Sequence, residues 1–167
     1  MKKVLITILT FISSAGFAQN IDFQLISFNG LKFYSPKSEI VEKLGQPEKI
    51  FEPKYECGFL SAESQSTKYF TLDFKNIKFT GNHKESYLIE FINFNNDNSI
   101  ILKYGKFNLN SETRLSELIE IFGKEFKETF KNNNSGKILL LNNDRDDGVI
   151  IVLKKGKLAR LEYWSPC

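Results

Sequence analysis

Residues able to do acid–base, nucleophilic or metal chemistry are few in this chain. His83 is the single histidine among 167 residues and lies in the polar stretch "TGNHKE". A histidine-based triad needs its imidazole beside a nucleophile set on a sharp turn, and neither Cys57 nor any serine stands in a recognisable elbow. His83 therefore reads as a solvated loop residue. One histidine and two cysteines are too few for a zinc site. The stretch "NNDRDDG", Asn142 to Gly148, crowds Asp144, Asp146 and Asp147 together and invites a calcium reading. The EF-hand template fails there: Asp147 falls where the loop needs glycine, and Leu153 falls where it needs the bidentate glutamate. A polar turn between strands uses the same residue types. Glu39, Glu42, Glu117 and Glu120 could pass for paired carboxylates, but they fall on the wet faces of amphipathic segments. The glycines are scattered singly, so no phosphate-cradling loop is present. Catalytic, cofactor and metal residues are all expected to be absent.

The start of the chain has the form of an export signal. Lys2 and Lys3 precede an apolar run, "VLITILTFI", Val4 to Ile12, and "SSAGFA" follows with small residues at Gly16 and Ala18. Cleavage after residue 18 would leave Gln19 first. The apolar run is shorter than the roughly 20 residues a membrane span requires. Periplasmic or secreted localisation is expected, with no integral membrane anchor in the mature chain. Removal of eighteen residues leaves 149, enough for one compact domain or two small halves sharing a core. The formal charge of +3 includes both lysines of the signal, so the mature chain carries +1 and has no basic field to hold nucleic acid. With 41% hydrophobic and 26% charged residues, disorder is not indicated. Phenylalanine and tyrosine recur in alternating segments, a strand-rich pattern.

Positions of the elements follow from turn residues and periodicity. "IDFQLISFNGLKFY", Ile21 to Tyr34, alternates around Asn29-Gly30 and predicts a hairpin or a bent strand. "SPKSEIVEKLGQPEKI", Ser35 to Ile50, predicts a short helix with Ser35 as cap and Pro36 at the first helical position. Ile40, Val41 and Leu44 form its apolar stripe, Gly45 its stop, and Pro47 prevents continuation. Strands are expected over Tyr55–Leu60, Lys68–Phe79, Ser86–Phe94 and Ile100–Leu109, the last with a bulge at Gly105. Leu115, Leu118, Ile119 and Phe122 form a second helical stripe ended by Gly123. Lys137–Asn142 reads as a strand, and Val149–Leu153 with Leu158–Trp164 as a hairpin. Strict alternation in its last strand puts Ala159, Leu161 and Tyr163 on one face, and Leu158, Arg160, Glu162 and Trp164 on the other.

A shift of 78 residues lays "SEIVEKLG", Ser38 to Gly45, over "SELIEIFG", Ser116 to Gly123. Ser38, Glu39, Glu42 and Gly45 recur as Ser116, Glu117, Glu120 and Gly123. The expected fold class is therefore α+β, with two tandem helix-plus-antiparallel-meander units and helices on one face of the sheet. The first unit, with its N-terminal hairpin, spans residues 19–95 and the second 96–167. The helix ending in "LGQP", Leu44 to Pro47, and the final hairpin "DGVIIVLKKGKLARLEYW", Asp147 to Trp164, resemble a superfamily of small bacterial envelope and secreted α/β modules. That group includes the small lipoprotein of the outer-membrane barrel assembly machinery and the tandem-repeat β-lactamase inhibitor protein. The resemblance implies a helical element on an antiparallel sheet and a binding role; it implies no target and no inhibitory residue.

With no constellation for chemistry, surface remains. Trp164, Arg160 and Glu162 near the C-terminus are the expected binding residues, tryptophan and arginine being types enriched in interface hot spots. The function expected is a non-enzymatic protein-binding module whose partner is another envelope or extracellular protein: an inhibitor, an immunity-like factor or an assembly accessory. The alternative is a ligand-binding protein that holds a glycan or lipid on the aromatic-rich sheet. Export also permits a Cys57–Cys167 disulfide, two separate thiols being the alternative. The bond would close a loop of about 110 residues, worth up to about 4.7 kcal/mol in the chain-entropy model. Intact mass after thiol alkylation checks it: the unreduced protein should take up no label and the reduced protein two.

Overall fold

The structure is a computed structural model that describes residues 20–54, 67–95, 97–143 and 145–166. The expected signal segment, the Tyr55–Leu60 strand, Asp144 and both cysteines of the expected disulfide lie outside the described residues.

Short strands and turns open the fold. β1 (Asn20–Ile21) leads through a 3₁₀ turn, capped by the Asp22 carboxylate on the Gln24 amide, into β2 (Ile26–Phe28), β3 (Leu31–Lys32) and β4 (Tyr34–Ser35). The expected hairpin joins β2 to β3. Asn29 and Gly30 take φ of 48° and 77°, the positive pair that matches the right-handed twist of the flanking strands. Helix α1 (Lys37–Leu44) follows, but Ser35 does not cap it. Pro36 is the N-cap residue, and Ser35 is buried in β4 with its hydroxyl donating to the Lys32 carbonyl at 3.1 Å. The pairing of β4 with the sheet takes the serine inward before the helix begins.

Two expected single strands are hairpins. Lys68–Phe79 divides into β6 (Phe70–Asp73) and β7 (Ile77–Gly81), because the Asp73 carboxylate accepts the Lys75 amide at 2.9 Å and Lys75 takes φ of 72°. Ile100–Leu109 divides into β9 (Leu102–Tyr104) and β10 (Phe107–Leu109), and Gly105, with φ of 56°, is a turn residue and no bulge. β5 (Lys49–Phe51) precedes β6, and β8 (Tyr87–Asn93) follows β7. Helix α2 (Leu115–Phe122) matches the expected stripe, with Leu118 and Phe122 buried. Gly123 ends α2, yet a further helix, α3 (Lys124–Thr129), starts at once and buries Phe126. β11 (Gly136–Asn142), β12 (Gly148–Lys154) and β13 (Lys157–Trp164) complete the chain.

A large mixed sheet runs β1-β11-β12-β13-β8-β7-β6-β5, and a small sheet runs β10-β9-β2-β3. β6, β7 and β8 pair antiparallel in sequence order, as do β11, β12 and β13; the last strands of the two runs then pair with each other, Leu161 opposite Ile92. β4 takes the remainder of that edge of β8. One face of the large sheet supplies Leu140, Val149, Ile151, Leu153, Leu161, Ile92, Phe79 and Leu72. These belong to one buried cluster with Ile40 of α1, Leu118 and Phe122 of α2, Phe126 of α3, and Ile26, Phe28 and Leu102 of the small sheet. Strict alternation fails at one place in β13. Val152 faces Arg160 but Leu153 faces Leu158, so Ala159 is an inserted residue. This bulge returns Leu158 to the core, where it is buried, against the expected placement beside Arg160.

The two helix-ending glycines share a backbone conformation. Gly45 has φ 80° and ψ −163°; Gly123 has φ 84° and ψ −155°. This region is open to glycine almost alone. Each amide donates to the carbonyl four residues back, that of Val41 or of Ile119. A Cβ at Gly45 would meet nothing within 4 Å, so substitution there tests conformation without a clash. Gly45→Ala is expected to lower stability by about 1–3 kcal/mol in urea denaturation, with an unchanged m-value.

Candidate functional site

The expected binding residues share one face, the face turned away from the core. β13 places Arg160, Glu162 and Trp164 at alternate positions there, all half-buried. Cross-strand register extends the surface. Glu162 stands opposite Ile150, which stands opposite Leu139; on its other side Glu162 meets Phe91, then Lys78, Asp73 and Lys49. One row thus crosses β11 to β5 as Leu, Ile, Glu, Phe, Lys, Asp, Lys. A second row sets Lys137, Val152, Arg160 and Asn93 side by side, and Trp164 faces Gly148 and Leu141.

Charge and apolar surface alternate along these rows. The Arg160 guanidinium lies 3.2 Å from the Glu162 carboxylate. The pair is partly exposed, so its worth to stability is at most about 1 kcal/mol. Lys78 pairs with Asp73 at 3.5 Å and sits 5.8 Å from the ring centres of both Phe51 and Phe91. Leu139 is 37% exposed and Phe51 40%, values that leave large apolar groups in reach of a partner. Toward β6 the same face closes. Thr71 and Thr80 are buried, their hydroxyls 2.7 Å apart, and Thr80 donates to the Glu90 carboxylate at 2.6 Å. Glu90 is the extra residue of a second bulge, between Phe91 opposite Lys78 and Ile89 opposite Phe79. The accessible part that adjoins Arg160, Glu162 and Trp164 is therefore the β11–β13 end with Phe91, and Phe51 lies apart from it on β5.

The remaining polar residues have local tasks. Glu117 accepts the backbone amide of Arg114 at 2.8 Å and closes the start of α2; Glu39 pairs with Lys43 along α1 at 3.4 Å. His83 is exposed in a turn organised by Asn82, whose side-chain oxygen accepts the Lys84 and Glu85 amides.

Asp147 is the residue that sequence reasoning misplaced. It is not a solvated turn residue: it is 3% exposed. Tyr163 donates its hydroxyl to Asp147 at 3.0 Å, the Asn142 side-chain amide donates at 3.3 Å, and the Arg145 guanidinium lies 3.4 Å away. Arg145 also donates to the Tyr34 hydroxyl at 3.3 Å. The network rests on stacked rings, Phe23 on Phe33 at 4.1 Å, with Tyr34 edge-on to Phe33. Burial, then the Asp147 charge, pushes the Tyr34 phenol up to about 12. The same two causes raise Tyr163. The sequence signal for this anchor is the Tyr163 position, on the inward face of β13 opposite Val149, two residues from Asp147.

No family model matches the chain, and neither the curated proteins nor the solved structures contain a match to it. The surface and the buried corner are thus read from their own geometry.

The phenols fix the sign of an alkaline transition. A phenol held above its ordinary value of about 10 stays protonated in the fold while the unfolded chain ionises, so its stabilisation is whole below about pH 10 and lost as pH rises. For Tyr34 the loss should be complete near pH 12. Urea midpoints measured against pH should fall above about pH 10, and Tyr34→Phe should make that fall shallower.

Proposed function

We propose that this protein is an exported, non-enzymatic protein-binding module that uses the outward face of its large sheet. It would act in the periplasm or outside the cell as an inhibitor, an immunity-like factor or an assembly accessory. One observation carries the reading: Arg160, Glu162 and Trp164 share a partly exposed surface with Leu139, Ile150, Val152 and Phe91. A broad patch of aliphatic and aromatic groups, crossed by an arginine–glutamate pair, suits a folded partner better than a small solute. The alternative, a glycan or lipid held on this face, needs a concave site, and Leu139 and Ile150 project from regularly paired strands.

The same reading takes the chain as a doubled unit, a helix and an antiparallel run used twice over Leu31–Phe94 and Phe107–Trp164. The matched conformations of Gly45 and Gly123 support it, as does the pairing of the last strands of the two runs. Doubling gives one edge of each run a partner and lays the two outward faces side by side, wider than one unit could offer.

The test is gentle crosslinking of the tagged mature protein in an envelope or culture fraction, with mass spectrometry of the captured proteins. A defined partner should be recovered. Trp164→Ala and Val152→Asp should each reduce its capture about tenfold or more without lowering the melting temperature. Recovery of no protein, or capture by both variants equal to that of the parent, would overturn the reading.

A further inference from the structure

A cavity of about 450 Å³ opens beside the Asp147 corner, distinct from the outward sheet face. It lies where the 3₁₀ turn, the β3–β4 segment and the β11–β12 turn meet. Phe23 and Phe33 form its floor and Tyr34 one wall. Both phenylalanines are nearly fully buried, so they fix the base of the cavity from beneath and give it little surface of their own; the accessible ring is that of half-buried Tyr34.

Two cations line the mouth, Lys32 and Arg145. Lys32 has no ion-pair partner among the described residues. Arg145 is held in place: its Nε faces the Asp147 carboxylate at 3.4 Å and its Nη1 donates to the Tyr34 hydroxyl at 3.3 Å. Its second amino group makes no hydrogen bond among the described residues. A guanidinium whose pose is set by two neighbours loses little freedom when it takes a third. The carboxylate of Asp22 also lines the cavity, and one of its oxygens is occupied by the Gln24 amide at 2.8 Å. The lining carries two positive charges and one negative, and the Asp147 carboxylate behind it offsets part of the Arg145 charge, so the cavity matches at most a single negative charge, nearest Lys32. A phosphate dianion would have to face Asp22 as well. Asn142 and Gln24 add amide groups suited to a ligand's hydroxyls or carbonyls.

We propose that this cavity is a binding site for a small ring-bearing monocarboxylate. The carboxylate lies between Lys32 and the second amino group of Arg145, and the ring rests against the exposed part of Tyr34. The shared chemistry, one carboxylate on a six-membered ring, occurs in aromatic acids and in acidic sugars. The first would use the Tyr34 ring, the second the amides of Asn142 and Gln24. Neither depends on the sheet face having a protein partner.

Saturation-transfer NMR of the purified protein with benzoate and with glucuronate tests the site, with benzyl alcohol and inorganic phosphate as controls. At least one of the two carboxylates should bind, and the tighter of them assigns the source. Benzyl alcohol and phosphate should neither bind detectably nor compete. Lys32→Ala, at an exposed position outside every ion pair among the described residues, should weaken the bound carboxylate about tenfold. Arg145→Lys keeps the charge and loses the fork, and should weaken it by a similar factor. Binding of neither carboxylate overturns the proposal. So does displacement of the bound carboxylate by an equal concentration of phosphate, or unchanged affinity in a correctly folded Lys32→Ala protein.

Discussion

The fold depends on one edge contact, the antiparallel pairing of β13 with β8. Arg160, Leu161 and Glu162 lie opposite Asn93, Ile92 and Phe91. Remove it, and β6–β8 and β11–β13 each become a small sheet with a bare central edge, which is an invitation to pair with other chains. With it in place, Leu161 and Ile92 meet at the centre of one core that also collects the stripes of the three described helices. The helices are of six to eight residues and have no independent stability. They hold their shape because that shared core receives Ile40, Leu118 and Phe126. The same pairing sets Glu162 against Phe91 on the reverse side, so a single ladder builds both the core and the outward surface.

Local chemistry was readable where a turn or stripe acts within a few residues. Asn29-Gly30 makes its hairpin because both residues accept positive φ, and Leu118 with Phe122 makes a buried stripe because helical periodicity puts them together. Readings failed where a distant partner decides, or where no residue type marks a local turn or restart. Ser35 looked like a cap, but pairing with Tyr87 takes it inward. Lys75 carries no turn signal of its own; the Asp73 carboxylate and a positive φ make the turn. Helix α3 begins immediately after a glycine stop, and Phe126, stacked on Phe122 at 5.7 Å, holds it in place.

The candidate surface was legible for a simple reason. Alternation in β13 fixes which side Arg160, Glu162 and Trp164 take, whatever the strand pairs with. Their neighbours Leu139, Ile150 and Phe91 were not legible as neighbours, because register across β11, β12 and β8 is a property of the whole sheet. Asp147 shows the opposite failure. In sequence it sits in an acidic, glycine-ended run, the composition of a wet turn. Its burial follows from Tyr163, Asn142 and Arg145 closing over it, and from Tyr34, more than one hundred positions earlier, anchoring the arginine.

Ala159 and Glu90 give the two central strands an unusual relation to chain length. Each is one residue more than the ladder beside it requires. Loss of Ala159 would leave Leu158 inward and Arg160 outward, as they already are. Loss or gain of a residue elsewhere in the paired part of β13 would exchange inside for outside for the side chains beyond it. The strand that presents the outward surface therefore has a single joint at which its length can change while its faces keep their roles.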